Sequence, residues 1–226
     1  MNGCTWTTDS ENRVGMTKNI LSKLSLTVRA GQLKIMLDLT RPTPQTQVLD
    51  VGFAPREDLP DTNYFEKFYP FPNSLTAAST EDCRAVKSKY PGVNIVRIQP
   101  GKKLPFRNNH FEIATSWATL EHVGNYQQQE FFLNELLRVA HKIFVTTPYR
   151  GSPYEPHSGF FFLQWLPLNW FRKICLYTGR RFWAKTANLN PLWVRDIKSM
   201  RLTKPVVVSV YQTLKFIPSH LLITSV

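Results

Sequence analysis

Cysteine is scarce in this chain of 226 residues: Cys4, Cys83 and Cys175 lie far apart, with no C-x-x-C pair. So sparse and odd a count argues against a disulfide framework or a cysteine-built zinc site, and fits a reducing compartment. Long apolar runs are missing as well, and no stretch approaches the ~20 residues of a membrane-spanning helix. The opening residues, "MNGCTWTTDSENR", lack the basic region and apolar run of a secretory signal, so a cytoplasmic location is expected. Acids are few, 16 Asp plus Glu against 28 Lys plus Arg, for a formal net charge of +12. That balance suits acidic partners such as nucleic acid, anionic lipid or a phosphorylated substrate. The plainer alternative is a solvated basic surface, because the positive residues are spread and no nucleic-acid reader motif accompanies them. Also absent are a G-x-x-x-x-G-K-S/T loop, a G-x-S-x-G elbow, and any His, Cys or Asp cluster with metal-ligand spacing. No metal is expected from spacing alone.

What is present is enough apolar material for one sizeable domain: 42% hydrophobic residues, 13% aromatic. Residues 1–16 are polar and aperiodic, which predicts a flexible tail ahead of a single domain over 17–226. "TKNILSKLSLTVRAGQLKIMLDLT" places Ile20, Leu21, Leu24, Leu33, Met36 and Leu37 at three- and four-residue steps. This predicts one or two amphipathic helices, interrupted or bent near Gly31. Strand-like and helical runs then alternate. "VLDVG", "SLTAAS", "VNIVRI", "FEIATS" and "HKIFVTT" read as strands; "NYFEKF", "TEDCRAVKSKY" and "NYQQQEFFLNELLRVA" read as helices. Such alternation implies a mostly parallel sheet covered on both faces, with ligands beyond the C-terminal strand ends. Residues 148–204 change character, becoming aromatic, proline-rich and basic, and are expected to form an insertion or lid over that edge. "VVVSVYQTLKFIPSHLLITSV" supplies two last strands, an antiparallel hairpin closing the sheet.

Two blocks carry a resemblance. "VLDVG" is similar to the first-strand motif of class I S-adenosylmethionine-dependent methyltransferases of the small "type 11" kind. "LPFRNNHFEIATSWATLEHVGN" is similar to that family's fourth-strand block and its "EHV" continuation. "TPYRGSPYEPH" and "ANLNPLWVRDI" resemble a bacterial subgroup with a first loop poor in glycine. The resemblance implies a Rossmann-like three-layer sandwich with a seven-stranded sheet. It also implies S-adenosyl-L-methionine as cofactor, and methyl transfer to oxygen or nitrogen of a small-molecule or glycan-type acceptor.

The resemblance further implies a cofactor site made of Asp50, Gly52, Phe53, Ser79, Glu81, Gly101, Leu104, Ser116 and Glu121. Asp50 offers only acceptors when ionised, Gly52 allows a sharp turn, and Phe53 replaces the usual glycines and packs on the cofactor. A plainer role is open for the first two, with Asp50 capping the turn and Gly52 only bending it. Ser79 stands where relatives carry an acid for the ribose hydroxyls; Glu81 or Asp82 is near enough to substitute, or to cap the next helix. Pro100 stands where relatives carry an adenine-reading Asp, which passes that task to Gln99 or to backbone groups from Gly101 to Leu104. Losing one charge-assisted hydrogen bond there weakens binding roughly tenfold to a hundredfold. His157 is the candidate proton acceptor, oriented by Glu155, with His122 near the substrate path. A structural role for either histidine is the alternative. The departures at Ser79, Pro100 and the glycine-poor loop also admit a second function, a scaffold that keeps the fold without transfer. A third reading places the aromatic, basic stretch 160–185 at a lipid surface or on nucleic acid.

Overall fold

The computed structural model describes residues 15–225, with side chains from Ser22 onward. Cys4 and nearly all of the expected tail lie outside the described residues. The elements are α1 (Gly15–Thr40), β1 (Val48–Val51), α2 (Tyr64–Phe68), β2 (Leu75–Ser79), β3 (Asn94–Arg97), β4 (Phe111–Trp117) and α3 (Tyr126–Val139). They continue with β5 (Ala140–Pro148), β6 (Tyr154–Glu155), β7 (Phe160–Phe161), α4 (Leu168–Tyr177), α5 (Val194–Ser199), β8 (Val207–Thr213) and β9 (Ile217–Ser225). Among the described residues, no helix is long and apolar enough to cross a membrane.

Seven strands form one sheet in the order β3-β2-β1-β4-β5-β9-β8, parallel from β3 to β5 and closed by the antiparallel pair β9-β8. Every residue of β1 and β2 is buried, as expected for strands covered on both faces. Leu33 and Met36 of α1, Phe65 of α2 and the loop residues Phe53, Cys83, Val86 and Tyr90 form the core on one face. Leu133, Leu136 and Leu137 of α3 with Ile197 of α5 belong to the core on the other. The chain order reverses between β2 and β4 on either side of β1, so the cleft at the C-terminal end of β1 is the switch point where α/β sheets bind ligands.

Two elements differ from the sequence expectation. α1 runs unbroken through Gly31. A Cβ there would lie 2.1 Å from Tyr211 Oη, so this glycine admits the β8 tyrosine against the helix and marks no break. The expected helix over "TEDCRAVKSKY" is absent: the segment is a run of turns with one 3-10 turn, Lys87–Lys89. Local side-chain acceptors explain this. Ser79 Oγ takes the Glu81 amide at 3.2 Å and Asp82 Oδ1 takes the Arg84 amide at 3.0 Å, in place of helical bonds. Burial of Cys83, Val86 and Tyr90 then anchors the irregular path.

The segment 148–204 builds its own small core from Phe171, Cys175, Trp183 and Leu189. Its outer surface leaves Phe161, Phe162, Trp165, Trp170 and Tyr177 exposed.

Candidate active site

A cavity of about 370 Å³ opens at the ends of β1 and β2. Gly52, Phe53, Ser79, Glu81, Gly101 and Leu104 all line it, so six of the nine expected cofactor residues share one wall. Its size lies within the range of pockets that hold small ligands. Phe131, Phe132 and Gln128, from the first turns of α3, complete it on the other side. A reciprocal cap starts that helix: Asn125 Oδ1 accepts from the Gln128 amide at 3.0 Å, and Gln128 Oε1 from the Asn125 amide at 2.9 Å.

Gly52 has φ +128°, and a Cβ built on it would fall 2.1 Å from Thr119 Oγ1. Close approach of the loop after β4 therefore demands glycine here, beyond any need for a bend. The loop that follows replaces missing glycines with its own braces. Asn63 holds the Ala54 amide at 2.8 Å and the Ala54 carbonyl at 3.0 Å, while Glu57 pairs with Lys89 at 2.7 Å and Lys67 at 3.1 Å. The bonds from Lys89 and Tyr90 hold the Glu57 carboxyl down to about 2. Phe53 is buried, edge-on to Tyr90 with centroids 5.1 Å apart, and presents its remaining surface to the cavity.

Glu81 borders the cavity, and its Oε1 is buried without a hydrogen-bond partner. Asp82 is turned to Arg84 and is not on the wall. Of the two acids near Ser79, the structure thus directs Glu81 to the cavity, and not as a helix cap, because no helix begins there. Ser79 Oγ is occupied by the Glu81 amide. At the third strand end, Gly101 has φ +68° and open space where a Cβ would stand. The Leu104 amide is not available to read a base: it donates to Glu135 Oε2 at 2.7 Å, and Arg138 clamps the Leu104 and Phe106 carbonyls at 3.0 and 2.8 Å. Leu104 contributes an apolar surface instead.

Three expected cofactor residues are not on this wall. Ser116 is wholly buried and donates to the Val51 carbonyl at 2.7 Å, tying β4 to β1. Asp50 accepts from Thr115 Oγ1 at 2.6 Å and interacts with the buried Glu66 carboxyl of α2. Burial raises Asp50 to about 6, against the pull of Glu66, Thr115 and Arg29, and burial beside Asp50 pushes Glu66 well above the carboxylate range. The two carboxyls therefore retain a proton between them. Glu121 belongs to a second centre, one turn past β4.

That centre unites the catalytic candidates. Glu121 is fully buried; its Oε2 accepts from Thr147 Oγ1 of β5 at 2.8 Å. Its Oε1 has no hydrogen-bond partner and lies 3.7 Å from His122 Nε2 and 3.9 Å from His157 Nε2. The two imidazoles meet edge to face, centroids 4.7 Å apart, with Trp183 beside both. His157 Nδ1 is 2.7 Å from Glu155 Oε1, as the sequence reading expected of that pair. Burial would raise the Glu155 carboxyl, but the His157 charge and bond and the Ser158 amide outweigh it and hold it near 2. His122 Nδ1 meets the Asn188 carbonyl at 2.6 Å, and burial pushes its pKa down. Asn190 locks this arm in place: its amide donates to the Glu121 carbonyl at 2.7 Å, and its side chain donates to Gln129 Oε1 at 3.0 Å. Thr119 and Val123, flanking this turn, also line the cavity, so the two centres adjoin.

Sequence reasoning missed Thr119, Glu66, Glu135, Gln129, Thr147, Asn188 and Asn190. Only Gln129 carried a readable signal, a polar residue at a buried position of an otherwise apolar helix face. The others act across loops that meet only in three dimensions.

No protein-family model and no curated protein matches this sequence. Solved structures do resemble it. Over 87% of this chain and 76% of the other, it superposes on 1,6-didemethyltoxoflavin-N1-methyltransferase of Burkholderia thailandensis, which holds 1,6-didemethyltoxoflavin and S-adenosylhomocysteine (TM-score 0.53, 12% identity). An S-adenosylmethionine-dependent methyltransferase of Mesorhizobium loti gives TM-score 0.52 at 12% identity, covering 80% and 90%. A protein bearing the name of Zn-dependent alcohol dehydrogenases, from Rhodobacter sphaeroides, gives 0.55 at 11%, covering 84% and 86%. At such identities the likeness establishes fold and leaves chemistry to the residues. With its β3-β2-β1-β4-β5 parallel sheet and closing antiparallel pair, the chain has the fold of the class I S-adenosylmethionine-dependent methyltransferases.

Proposed function

We propose that this protein is an S-adenosylmethionine-dependent methyltransferase acting on an oxygen or nitrogen of a small-molecule or glycan-type acceptor. The observation that carries the reading is the cavity at the switch point, with the Glu81 side chain on its wall and one oxygen of its carboxyl, Oε1, buried there without a partner. A buried acceptor without a donor is costly unless a ligand supplies one, and the ribose hydroxyls of an adenosyl group are such donors. Leu104, Phe131 and Ile98 provide the apolar walls for a base. Gly52 and Phe53 border the end nearest Thr119. When bound, the cofactor supplies a methyl group activated on a sulfonium. The chain's part is alignment and removal of the acceptor's proton. His157, its Nδ1–H held by Glu155 and its Nε2 3.9 Å from Glu121 Oε1 in the centre beside the cavity, is the candidate proton acceptor, and the Glu155 carboxylate stabilises the resulting charge.

The alternative of a scaffold without transfer is not favoured. The glycine-poor loop is braced away by Asn63 and Glu57 and leaves the cavity open. Calorimetric titration with S-adenosylhomocysteine tests the reading. Binding in the micromolar range is expected, with Glu81→Gln weaker by roughly tenfold to a hundredfold, the worth of about 1.5–3 kcal/mol in a charge-assisted bond. No binding at millimolar ligand would refute the proposal.

A further inference from the structure

We propose that Glu121, His122 and His157 form a binding site for one divalent transition-metal cation. Their ligand atoms all lie within 4.8 Å of one another, inside the protein. The donor set is two imidazole nitrogens and one carboxylate oxygen, a combination that suits zinc, iron or cobalt in the divalent state.

Three features separate this cluster from a chance meeting of polar groups. Glu121 Oε1 is fully buried, makes no hydrogen bond and points between the two Nε2 atoms. A buried carboxyl oxygen left so is expensive, and a cation at that point removes the expense. Second, both rings are held from behind at Nδ1, His122 by the Asn188 carbonyl and His157 by the Glu155 carboxylate. A donor bond at Nδ1 fixes the tautomer that leaves the Nε2 lone pair facing inward, the outer-shell arrangement typical of metal-bound histidine. Third, the spacing is nearly right. Two ligands about 2.1 Å from a tetrahedral ion stand about 3.4 Å apart. The two carboxylate–imidazole separations, 3.7 and 3.9 Å, exceed that by a few tenths, and the two imidazole nitrogens lie within 4.8 Å of each other, so a bound ion has to draw the three groups slightly together. Thr147 holds the other oxygen of Glu121, leaving Oε1 as the single coordinating atom.

Sequence spacing conceals the site because Glu121 and His122 are neighbours while His157 arrives from the insertion. The inference goes beyond the transferase reading and does not depend on it. Where both hold, a bound cation would occupy the His157 Nε2 lone pair, so that His157 would serve as a ligand and not as the proton acceptor, and the cation would supply Lewis acidity that makes a coordinated acceptor hydroxyl easier to deprotonate.

The test uses the full-length protein, stripped with a chelator and titrated with Zn²⁺ and Co²⁺ in the absence of any cofactor. One equivalent is expected to bind at micromolar affinity or tighter, and Co²⁺ to give visible absorption of four- or five-coordinate intensity. Glu121→Gln and His157→Ala should weaken binding at least a hundredfold, and Glu155→Gln by ten- to a hundredfold through loss of ring orientation. His141→Ala, on the exposed surface, should change nothing. The proposal is overturned by no stoichiometric binding to the wild-type protein, by equal binding in the Glu121 and His157 variants, or by Mg²⁺ competing as well as Zn²⁺. Should a variant not fold, the wild-type Co²⁺ spectrum decides alone: octahedral aquo-ion absorption refutes the site. Failure of S-adenosylhomocysteine to bind would touch only the transferase reading.

Discussion

Replacing Gly52 with alanine probes the hinge of the cavity through two separable costs. The backbone there sits at φ +128°, a conformation L side chains rarely adopt, and strain of that kind costs about 1–3 kcal/mol. The new Cβ would also stand 2.1 Å from Thr119 Oγ1 and 3.1 Å from its Cγ2, an overpacking worth about 1–3 kcal/mol more. Gly52→Ala should therefore lose roughly 2–6 kcal/mol in urea unfolding. Adding Thr119→Ala removes Oγ1 and Cγ2 but not the Thr119 Cβ, which the new methyl would meet at 3.0 Å, nor the backbone strain. The double variant should recover part of the loss, about 1–2 kcal/mol, and no more. Affinity for S-adenosylhomocysteine should follow the same order, because both residues line the cavity. A loss under ~0.5 kcal/mol for Gly52→Ala, or full recovery in the double variant, would show that close approach and left-handed geometry do not govern this turn.

Two further outcomes rest on buried polar groups elsewhere. Asp50, raised to about 6, and Glu66, raised higher, both hold protons more tightly in the folded state than in the unfolded. The unfolded carboxyls ionise first as pH rises, so their contribution falls from about pH 4 through the folded values and stays low above them. For Asp50 alone the drop is of order 3 kcal/mol. Glu66→Gln should flatten the urea stability profile between pH 4 and 7 and raise stability at pH 8; a profile as steep as wild type's would count against a shared proton. Gln129 bridges the Leu120 and Asn190 carbonyls at 2.9 Å each, so Gln129→Ala leaves several buried groups without partners. A loss of about 2–4 kcal/mol and faster proteolysis within 148–204 are expected, and unchanged protection would show that the clasp does not hold the insertion.

The strands were legible because period and turn chemistry are local. "VLDVG" and "FEIATS" are short apolar runs ended by turn residues, and alternation with helical runs implied a mostly parallel sheet, while the order of its strands came from the structure. The run over 80–90 was misread for a related reason. Its apolar residues do keep three- and four-residue steps, but Ser79 and Asp82 bind nearby amides and end the helix before it begins. At the candidate site, Gly52, Phe53, Ser79, Glu81, Gly101 and Leu104 lie together on one wall, since strand ends in this fold converge whatever their side chains. What each residue does there was not legible. The Leu104 amide is taken by Glu135, and Ser116 by the Val51 carbonyl, because those partners come from other elements.

By itself, the order of residues determined a mostly parallel sheet with a closing hairpin, a basic aromatic insertion, and the strand ends that border the cavity. Backbone periodicity is a local property, so a chain read in one dimension contains it. Only the folded chain decided that Glu81 and not Asp82 lines the cavity, that Asp50 is buried beside the Glu66 carboxyl, and that Glu121, His122 and His157 converge. Those facts depend on desolvation and on contacts between distant segments, which arise only in the folded chain; the last of them also needs the insertion packed against the turn after β4.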